Sequence, residues 1–169
     1  MEAEYAKFDA ATEFNGFTLL NIDKIEVMIS YIAESVSNLF KVKLMKMLWY
    51  GDALSFKRRG IAMTGMVYRH EPMGALPIGH YSLMNLENLN IREEESNTYD
   101  LMLHIYPSKG MDYSILTDED RRILDDVINK FKDYKAKDII EYMHGETAYT
   151  KTKAGEMIPF SLAKDIREF

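Results

Sequence analysis

The chain has 169 residues, of which 47% are hydrophobic and 28% charged, a composition typical of one globular domain with a sizeable core. It contains no cysteine, which excludes disulfides, thiolate nucleophiles and cysteine-ligated metal sites. The net charge of -6 argues against general binding of nucleic acid, because neutralising phosphates requires clustered lysine and arginine.

The N-terminal segment, residues 1–20, shows no clear period and predicts an irregular arm laid on the core. Residues 21–169 contain no linker, internal repeat or low-complexity tract, so we expect them to form a single domain. The N-terminus lacks the basic and apolar regions of a signal peptide, and no apolar run approaches the length of a membrane helix. We therefore expect a cytoplasmic protein that does not contact a membrane.

Two helices are predicted next along the chain. Residues 22–36 carry apolar side chains at helical spacing, which predicts an amphipathic helix. Residues 41–59 are apolar around most of the helix circumference, which predicts a central, buried helix closed by Gly60 as its C-terminal cap. The polar exceptions on this helix fall within a narrow arc and form a basic stripe with one aromatic residue: Lys43, Lys46, Tyr50 and Lys57.

The middle of the chain predicts short strands. Residues 61–76 lose the helical period and gather glycine and proline, which indicates a short strand followed by a turn. Residues 78–86 predict a short helix. The alternating segments 89–95 and 98–106 predict a hairpin with its turn at Ser96-Asn97.

The remaining elements are helical. Thr117 is a good helix start, because its hydroxyl can accept a hydrogen bond from the backbone amide of Asp120, and an apolar face continues to Phe131. A further helix is predicted through residues 136–143, and a last short one begins at Ser161. The predicted fold class is α+β, with a mainly helical core and a small antiparallel β-sheet or hairpin.

The sequence offers few residues for chemistry. The histidines, His70, His80, His104 and His144, lack metal-ligand spacing, and no common catalytic motif occurs, so we predict no metal, no cofactor and no catalytic residue. Asp52 is the informative acid, since a carboxylate on an apolar helix must be hydrogen-bonded, paired or neutralised. We favour a structural acid satisfied by backbone amides or a tyrosine. The alternative is a hydrolytic pair with His80 or His144.

Several segments resemble the Panacea domain of SocA-like antitoxins. They are residues 40–54 (FKVKLMKMLWYGDAL), 61–68 (IAMTGMVY) with 72–77 (PMGALP), 115–120 (ILTDED) with the helix ending at Phe131, and the YMH of 142–144 before Tyr149. The order and spacing of these segments extend the resemblance over roughly residues 20–166. The residues assigned to the structural signature on this basis are Trp49, Asp52, Gly65, Gly74, His144 and Tyr149.

Two positions depart from the pattern of the family. Gly51 stands where the family usually carries alanine, and Gly74-Ala75 where it often has Gly-Pro. A glycine within a helix costs about 1 kcal/mol relative to alanine. We therefore expect close packing against Gly51 as a compensation.

The resemblance implies an antitoxin that neutralises a cognate protein toxin by direct contact, and in one branch a proteolytic adaptor that hands its toxin to an ATP-dependent protease. Many similar proteins also carry an N-terminal zinc-finger or helix-turn-helix DNA-binding module. Without cysteine, and with only a loosely patterned arm, we do not expect that module in this chain, nor direct binding of nucleic acid. The alternatives are a hydrolase that uses Asp52 with a histidine, and a regulatory component of a DNA-binding antitoxin.

Two groups of residues are the predicted partner-binding sites. The basic stripe of Lys43, Lys46, Tyr50 and Lys57 could dock an acidic toxin surface, with Tyr50 as the anchor. The alternatives for the stripe are a solvated face, or one that pairs with the acidic hairpin of the same chain. Most methionines have core spacing, and the candidates for partner contact beside the 65–76 loop include Met66 and Met73.

Overall fold

A computed structural model describes residues 1–95 and 101–167. The α-helices of this part are α1 (Glu2–Tyr5), α2 (Ile22–Ser35), α3 (Lys41–Arg59), α4 (His80–Leu83), α5 (Asp118–Phe131), α6 (Ala136–His144), α7 (Thr147–Thr150) and α8 (Phe160–Ala163). The strands are β1 (Tyr68–Glu71), β2 (Gly74–Pro77), β3 (Asn90–Glu95) and β4 (Leu101–Tyr106), and a 3-10 turn covers Tyr113–Ile115. The predicted class, a mainly helical α+β fold, is confirmed.

The centre of the fold is α3. Every residue from Lys43 to Ser55 is buried, and α2, α5, α6, α8 and β2 all pack against this helix. The prediction of a central buried helix is therefore confirmed. Because α3 is enclosed on several sides, its few polar side chains must find hydrogen-bond partners inside the protein.

The strands form two separate antiparallel pairs. β1 pairs with β2 in a register from Tyr68 opposite Pro77 to Glu71 opposite Gly74. β3 pairs with β4, with Asn90 opposite Tyr106. The second pair confirms the predicted hairpin, whereas its predicted turn at Ser96-Asn97 lies outside the described residues. The first pair was predicted only as one strand and a turn.

Local capping explains where α2 and α5 begin. Asn21 precedes α2 and its side-chain oxygen accepts a hydrogen bond of 3.0 Å from the backbone amide of Lys24. Thr117 precedes α5 and its hydroxyl accepts from the amide of Asp120 at 3.0 Å, as predicted, while the Asp120 carboxylate accepts from the Thr117 amide at 3.0 Å. These reciprocal bonds satisfy amides that the first helical turn leaves without partners.

The shortest helices depart most from the predictions. α7, with 4 residues, was not predicted, and α8 begins at Phe160 rather than at Ser161. One helical turn is too short for a periodic apolar pattern, and such turns are stable only where tertiary contacts hold them.

The first twenty residues, predicted as an irregular arm, lie along the core and include the single turn of α1. Tyr5 is buried, and its hydroxyl donates a hydrogen bond of 2.9 Å to the carbonyl of Ile78. Further along, the arm backbone crosses Gly65, where a Cβ atom would come within 2.3 Å of the carbonyl carbon of Leu19. Gly65 has a φ of +76°, so both its conformation and this close approach require glycine.

Candidate functional site

Asp52 lies within α3 and is completely buried. One carboxylate oxygen accepts from the amides of Met63 and Thr64 at 2.8 and 3.0 Å, and the other from the hydroxyls of Thr64 and Tyr68 at 2.6 and 2.7 Å. Burial raises the pKa of Asp52, and these hydrogen bonds oppose that rise. The favoured prediction, a structural acid held by backbone amides and a tyrosine, is confirmed.

The alternative prediction, a pair of Asp52 with a histidine, is wrong. All four hydrogen bonds to its carboxylate come from the segment 63–68, and neither His80 nor His144 is among the donors. His80 instead lies beside Lys41, and His144 beside the carbonyl of Pro72. The carboxylate ties α3 to the loop that leads into β1.

The predicted docking stripe on α3 is also wrong, because its side chains turn into the protein. Lys43 is 6% exposed, and its ammonium group donates to the carbonyls of Lys132 and Tyr134 at 2.8 and 2.7 Å. These carbonyls lie just after α5, where a helix end leaves acceptors without partners. Lys57 donates similarly to the carbonyl of Ile166 at 2.7 Å.

The aromatic member of the stripe is buried as well. Tyr50 has no exposed surface, and its hydroxyl donates to the Glu146 carboxylate at 3.3 Å. Met66, a further predicted contact, is equally buried. The alternatives for the stripe, a solvated face or pairing with the acidic hairpin, fail for the same reason, since Lys43 and Lys46 are buried and donate to backbone carbonyls elsewhere in the fold.

Lys46 has a particular structural role at the edge of β2. Its ammonium group donates to the carbonyl of Ala75 at 2.8 Å, while the Ala75 amide donates to the sulfur of Met143 at 3.1 Å. The two side chains thus satisfy backbone groups that point away from β1. Burial lowers the pKa of Lys46 to about 8. Gly74 permits this arrangement, because a Cβ there would lie 2.7 Å from the Met143 sulfur.

A groove opens between the start of α3, the β1–β2 hairpin and α4, and we call it the hairpin groove. It has a volume of about 690 Å³. Val42 and Leu76 line its apolar part, and Met73 and Tyr81 stand at its rim, 53% and 75% exposed. Met73 is the one exposed member of the predicted partner-binding set, since Lys57 is half-buried and the others are buried.

The hairpin groove is basic in an acidic protein. Lys41, Lys46 and Arg69 line it together with a single acid, Glu71. Lys41 is held by neutral groups: its ammonium nitrogen lies 2.8 Å from Nδ1 of His80 and 4.4 Å from the centre of the Tyr81 ring. Burial lowers the pKa of both Lys41 and His80. The groove therefore combines exposed apolar side chains with positive charge.

The tip of the hairpin is fixed by residues of α6 and α7. The Tyr149 hydroxyl donates to the carbonyl of Glu71 at 2.7 Å, and Nε2 of His144 lies 3.1 Å from the carbonyl oxygen of Pro72. The Tyr149 ring is stacked between two imidazoles, with centroid distances of 3.7 Å to His70 and 4.5 Å to His144. These contacts hold the segment that carries Met73 against the C-terminal helices.

A second cavity, of about 580 Å³, lies beside α2 and has a different character. Acidic side chains such as Asp23 and Glu26 line it. The Glu26 carboxylate already accepts from the amide and the side chain of Asn88 at 2.8 and 3.2 Å. This carboxylate is thus engaged within the fold, and the hairpin groove is the better candidate for a binding site.

Neither a cluster of metal-ligating side chains nor a membrane-spanning helix is found in residues 1–95 and 101–167. No three histidine or acidic side chains converge there as potential metal ligands. None of the helices in that part combines the length and apolarity needed to cross a bilayer.

The sequence did not single out Lys41, Arg69, His80 or Tyr81 as a group. Lys41 is the first residue of a predicted helix and lies outside the arc of the stripe. His80 lies 39 positions further along the chain. No local spacing could have joined these two residues, because the hairpin and α4 bring them together.

A family model described as "Antitoxin SocA-like, Panacea domain" matches residues 44–149, the larger part of the chain. These residues include the Asp52 network, the β1–β2 hairpin and the Tyr149 stack. No curated protein and no solved structure gave a significant match.

Proposed function

The chain belongs to the family of antitoxin SocA-like proteins with a Panacea domain, and from that premise we propose that it neutralises a protein toxin by direct contact through the hairpin groove. Binding there would cover or distort the active surface of the toxin. This mechanism requires no cofactor. We further propose that both proteins meet in the cytoplasm.

The exposed apolar rim of the groove carries this proposal. Tyr81 and Met73 expose 75% and 53% of their surface beside a concave wall formed by Val42 and Leu76. Aromatic and methionine side chains that border a pocket are typical of protein–protein interfaces, where a few such residues provide most of the affinity. A toxin segment seated in the groove would bury both side chains.

Co-expression in bacteria tests the function. The product of a small neighbouring reading frame that is toxic alone should become harmless when this chain is co-expressed, and the two proteins should copurify. The double variant Met73→Asp with Tyr81→Asp should fold normally but lose protection, because two charges would enter the apolar contact.

Ile115→Asp is the matched control, since Ile115 is 43% exposed and lies outside the groove. It should retain full protection. Survival of the cells with the double variant, at equal protein levels, would show that the groove is not the contact surface. If the wild-type chain protects against no neighbouring toxic product, the antitoxin function itself is refuted.

The resemblance to adaptor-type relatives supports a finer proposal, in which the bound toxin is passed to an ATP-dependent protease. The toxin half-life after translation arrest distinguishes the two mechanisms. An adaptor should shorten this half-life only in cells that contain the protease, whereas neutralisation by contact alone leaves it unchanged or longer. A stable, inactive toxin in complex with the chain would therefore refute the adaptor mechanism.

A further inference from the structure

Some basic side chains of the described residues are neutralised by ion pairs, and those that line the hairpin groove are not among them. Lys24, Arg58, Arg59 and Arg167 each lie within 3.0 Å of a carboxylate oxygen. In residues 1–95 and 101–167, no such ion pair is formed by Lys41, Lys46 or Arg69, which line the hairpin groove. Three basic side chains thus share the groove with one acid, Glu71, and none of the three is in direct contact with a carboxylate of the described residues.

Lys41 is the member of this group best placed to bind a ligand. Lys46 is 2% exposed and is bound to the Ala75 carbonyl, and Arg69 donates to the carbonyl of Gly155 at 3.1 Å. Lys41 is half-buried at the mouth of the groove, where an imidazole and a phenol ring contact its ammonium group. An arriving carboxylate could pair with Lys41 without breaking an existing ion pair.

From this geometry we infer that the hairpin groove binds a segment of the toxin that carries an aspartate or glutamate next to an apolar side chain, with the carboxylate on Lys41 and the apolar group between Met73 and Tyr81. The inference rests on the proposed antitoxin function and names the chemistry of its contact. A partly desolvated ammonium group gains more from a carboxylate than an exposed one does, because solvent screens the pair less.

Glu71 determines where along the groove the carboxylate can lie. It ends β1 at the hairpin tip and is the one acid among the lining residues. An acidic side chain placed at that end would be repelled, whereas one at the α4 end meets Lys41 and the neutral His80. The two ends of the groove therefore differ in charge, and this difference orients the bound segment.

A peptide library tests this chemistry and does not require the toxin itself. Random peptides displayed on phage are selected on the purified chain, and the enriched peptides are synthesised with a fluorophore for polarisation titrations. We expect enrichment of peptides with an acid beside an apolar residue, and affinity that falls as salt is raised. Lys41→Glu should weaken binding at least about tenfold. Exchanging the peptide acid for lysine should restore binding to that variant.

Lys137→Glu provides the matched control, because Lys137 is exposed on α6, outside the groove, and undergoes the same change of charge. It should bind the peptides like the wild-type chain. Folding of Lys41→Glu is expected to be normal, since an acid in the first turn of α3 interacts favourably with the helix dipole. Equal thermal midpoints would confirm this.

Three results would overturn the inference: no enriched peptide, a neutral or basic consensus, or equal binding by Lys41→Glu and the wild-type chain. If any of these occurs while the wild-type chain still protects cells from a toxin, the antitoxin function stands and only the acidic ligand is refuted. If acidic peptides bind through Lys41 but no toxin is neutralised, the acidic ligand stands and the antitoxin function is refuted.

Discussion

The hydroxyl of Tyr68, at the start of β1, donates a hydrogen bond of 2.7 Å to the carboxylate of Asp52 in α3. Both side chains are completely buried. This bond connects the central helix to the hairpin that forms one wall of the groove. The acid thus contributes to the shape of the proposed binding site without touching a ligand.

Removing this acid should strongly destabilise the protein. In Asp52→Ala, the amides of Met63 and Thr64 and two hydroxyls would lose their common acceptor inside the core, at a cost of about 3 kcal/mol or more. Tyr68→Phe removes one donor and should cost about 1 to 3 kcal/mol. Urea denaturation measures both changes in the free energy of unfolding.

Asp126→Ala is the control for the Asp52 variant. Asp126 forms an ion pair of 2.6 Å with Arg58, but the two side chains are 43% and 38% exposed to solvent. Solvent screening limits such a pair to about 1 kcal/mol or less. If Asp52→Ala were as stable as this control, the structural role assigned to Asp52 would be refuted.

The buried ammonium group of Lys46 should make stability depend on alkaline pH. Burial lowers its pKa from 10.5 to about 8 in the folded state. Between these values the unfolded chain binds more protons than the folded one, so the free energy of unfolding should rise with pH. From pH 8 to 10 we expect a gain of about 2 kcal/mol from this group.

Lys46→Met tests this effect. Denaturation curves of the wild-type chain should shift to higher urea between about pH 8 and 10, and the shift should be much smaller in the variant. Above that range, tyrosines such as Tyr31, whose pKa burial raises to about 12, favour the opposite slope. An equal shift in both proteins would show that Lys46 is not the titrating group.

The long helices could be predicted because their sequences contain several turns of apolar periodicity. α3 was predicted with its bounds, and the capping of α5 by Thr117 followed from side-chain chemistry alone. β2 was not predicted, since a four-residue segment bounded by glycine and proline looks like a turn. Its strand character comes from pairing with β1, which the local pattern does not encode.

The same contrast between local sequence patterns and tertiary contacts separates the correct and wrong site predictions. The structural role of Asp52 could be predicted, because a buried carboxylate requires hydrogen-bond donors wherever in the chain they lie. The role of the basic stripe could not be predicted, because a helical arc shows which residues share a face but not what that face contacts. The ammonium group of Lys43 reaches a carbonyl 89 positions along the chain. That contact depends on how α5 packs against α3.

Gly51→Ala should stabilise the protein by up to about 1 kcal/mol. The predicted close packing against Gly51 is not found: a Cβ there would lie 3.6 Å from both Leu124 Cδ2 and Met28 Cε, an ordinary contact distance. Alanine therefore improves helix propensity without a clash. Thermal denaturation should show a higher midpoint.

Gly65→Ala makes the contrasting variant. Its Cβ would lie 2.3 Å from the backbone of Leu19, and its φ of +76° disfavours any side chain. This substitution should lower the midpoint strongly. A lowered midpoint for Gly51→Ala as well would show that the space beside α3 is smaller than the structure indicates.

Tyr149→Phe should loosen the wall of the hairpin groove while leaving the core intact. The variant keeps the aromatic stack with His70 and His144 but loses the hydrogen bond to the Glu71 carbonyl. We expect faster amide hydrogen exchange in residues 71–76 and weaker toxin binding, because the mobile tip must be ordered again on binding. The loss of stability should be only about 1 kcal/mol.

Tyr31→Phe separates this effect from a general loss of stability. Tyr31 donates a hydrogen bond of 2.7 Å to Asp125, between α2 and α5, and its removal should lower stability by a similar amount. Exchange in residues 71–76 and toxin affinity should then remain as in the wild-type chain. Equal exchange rates in the two variants would mean that the Tyr149 hydroxyl does not position the hairpin.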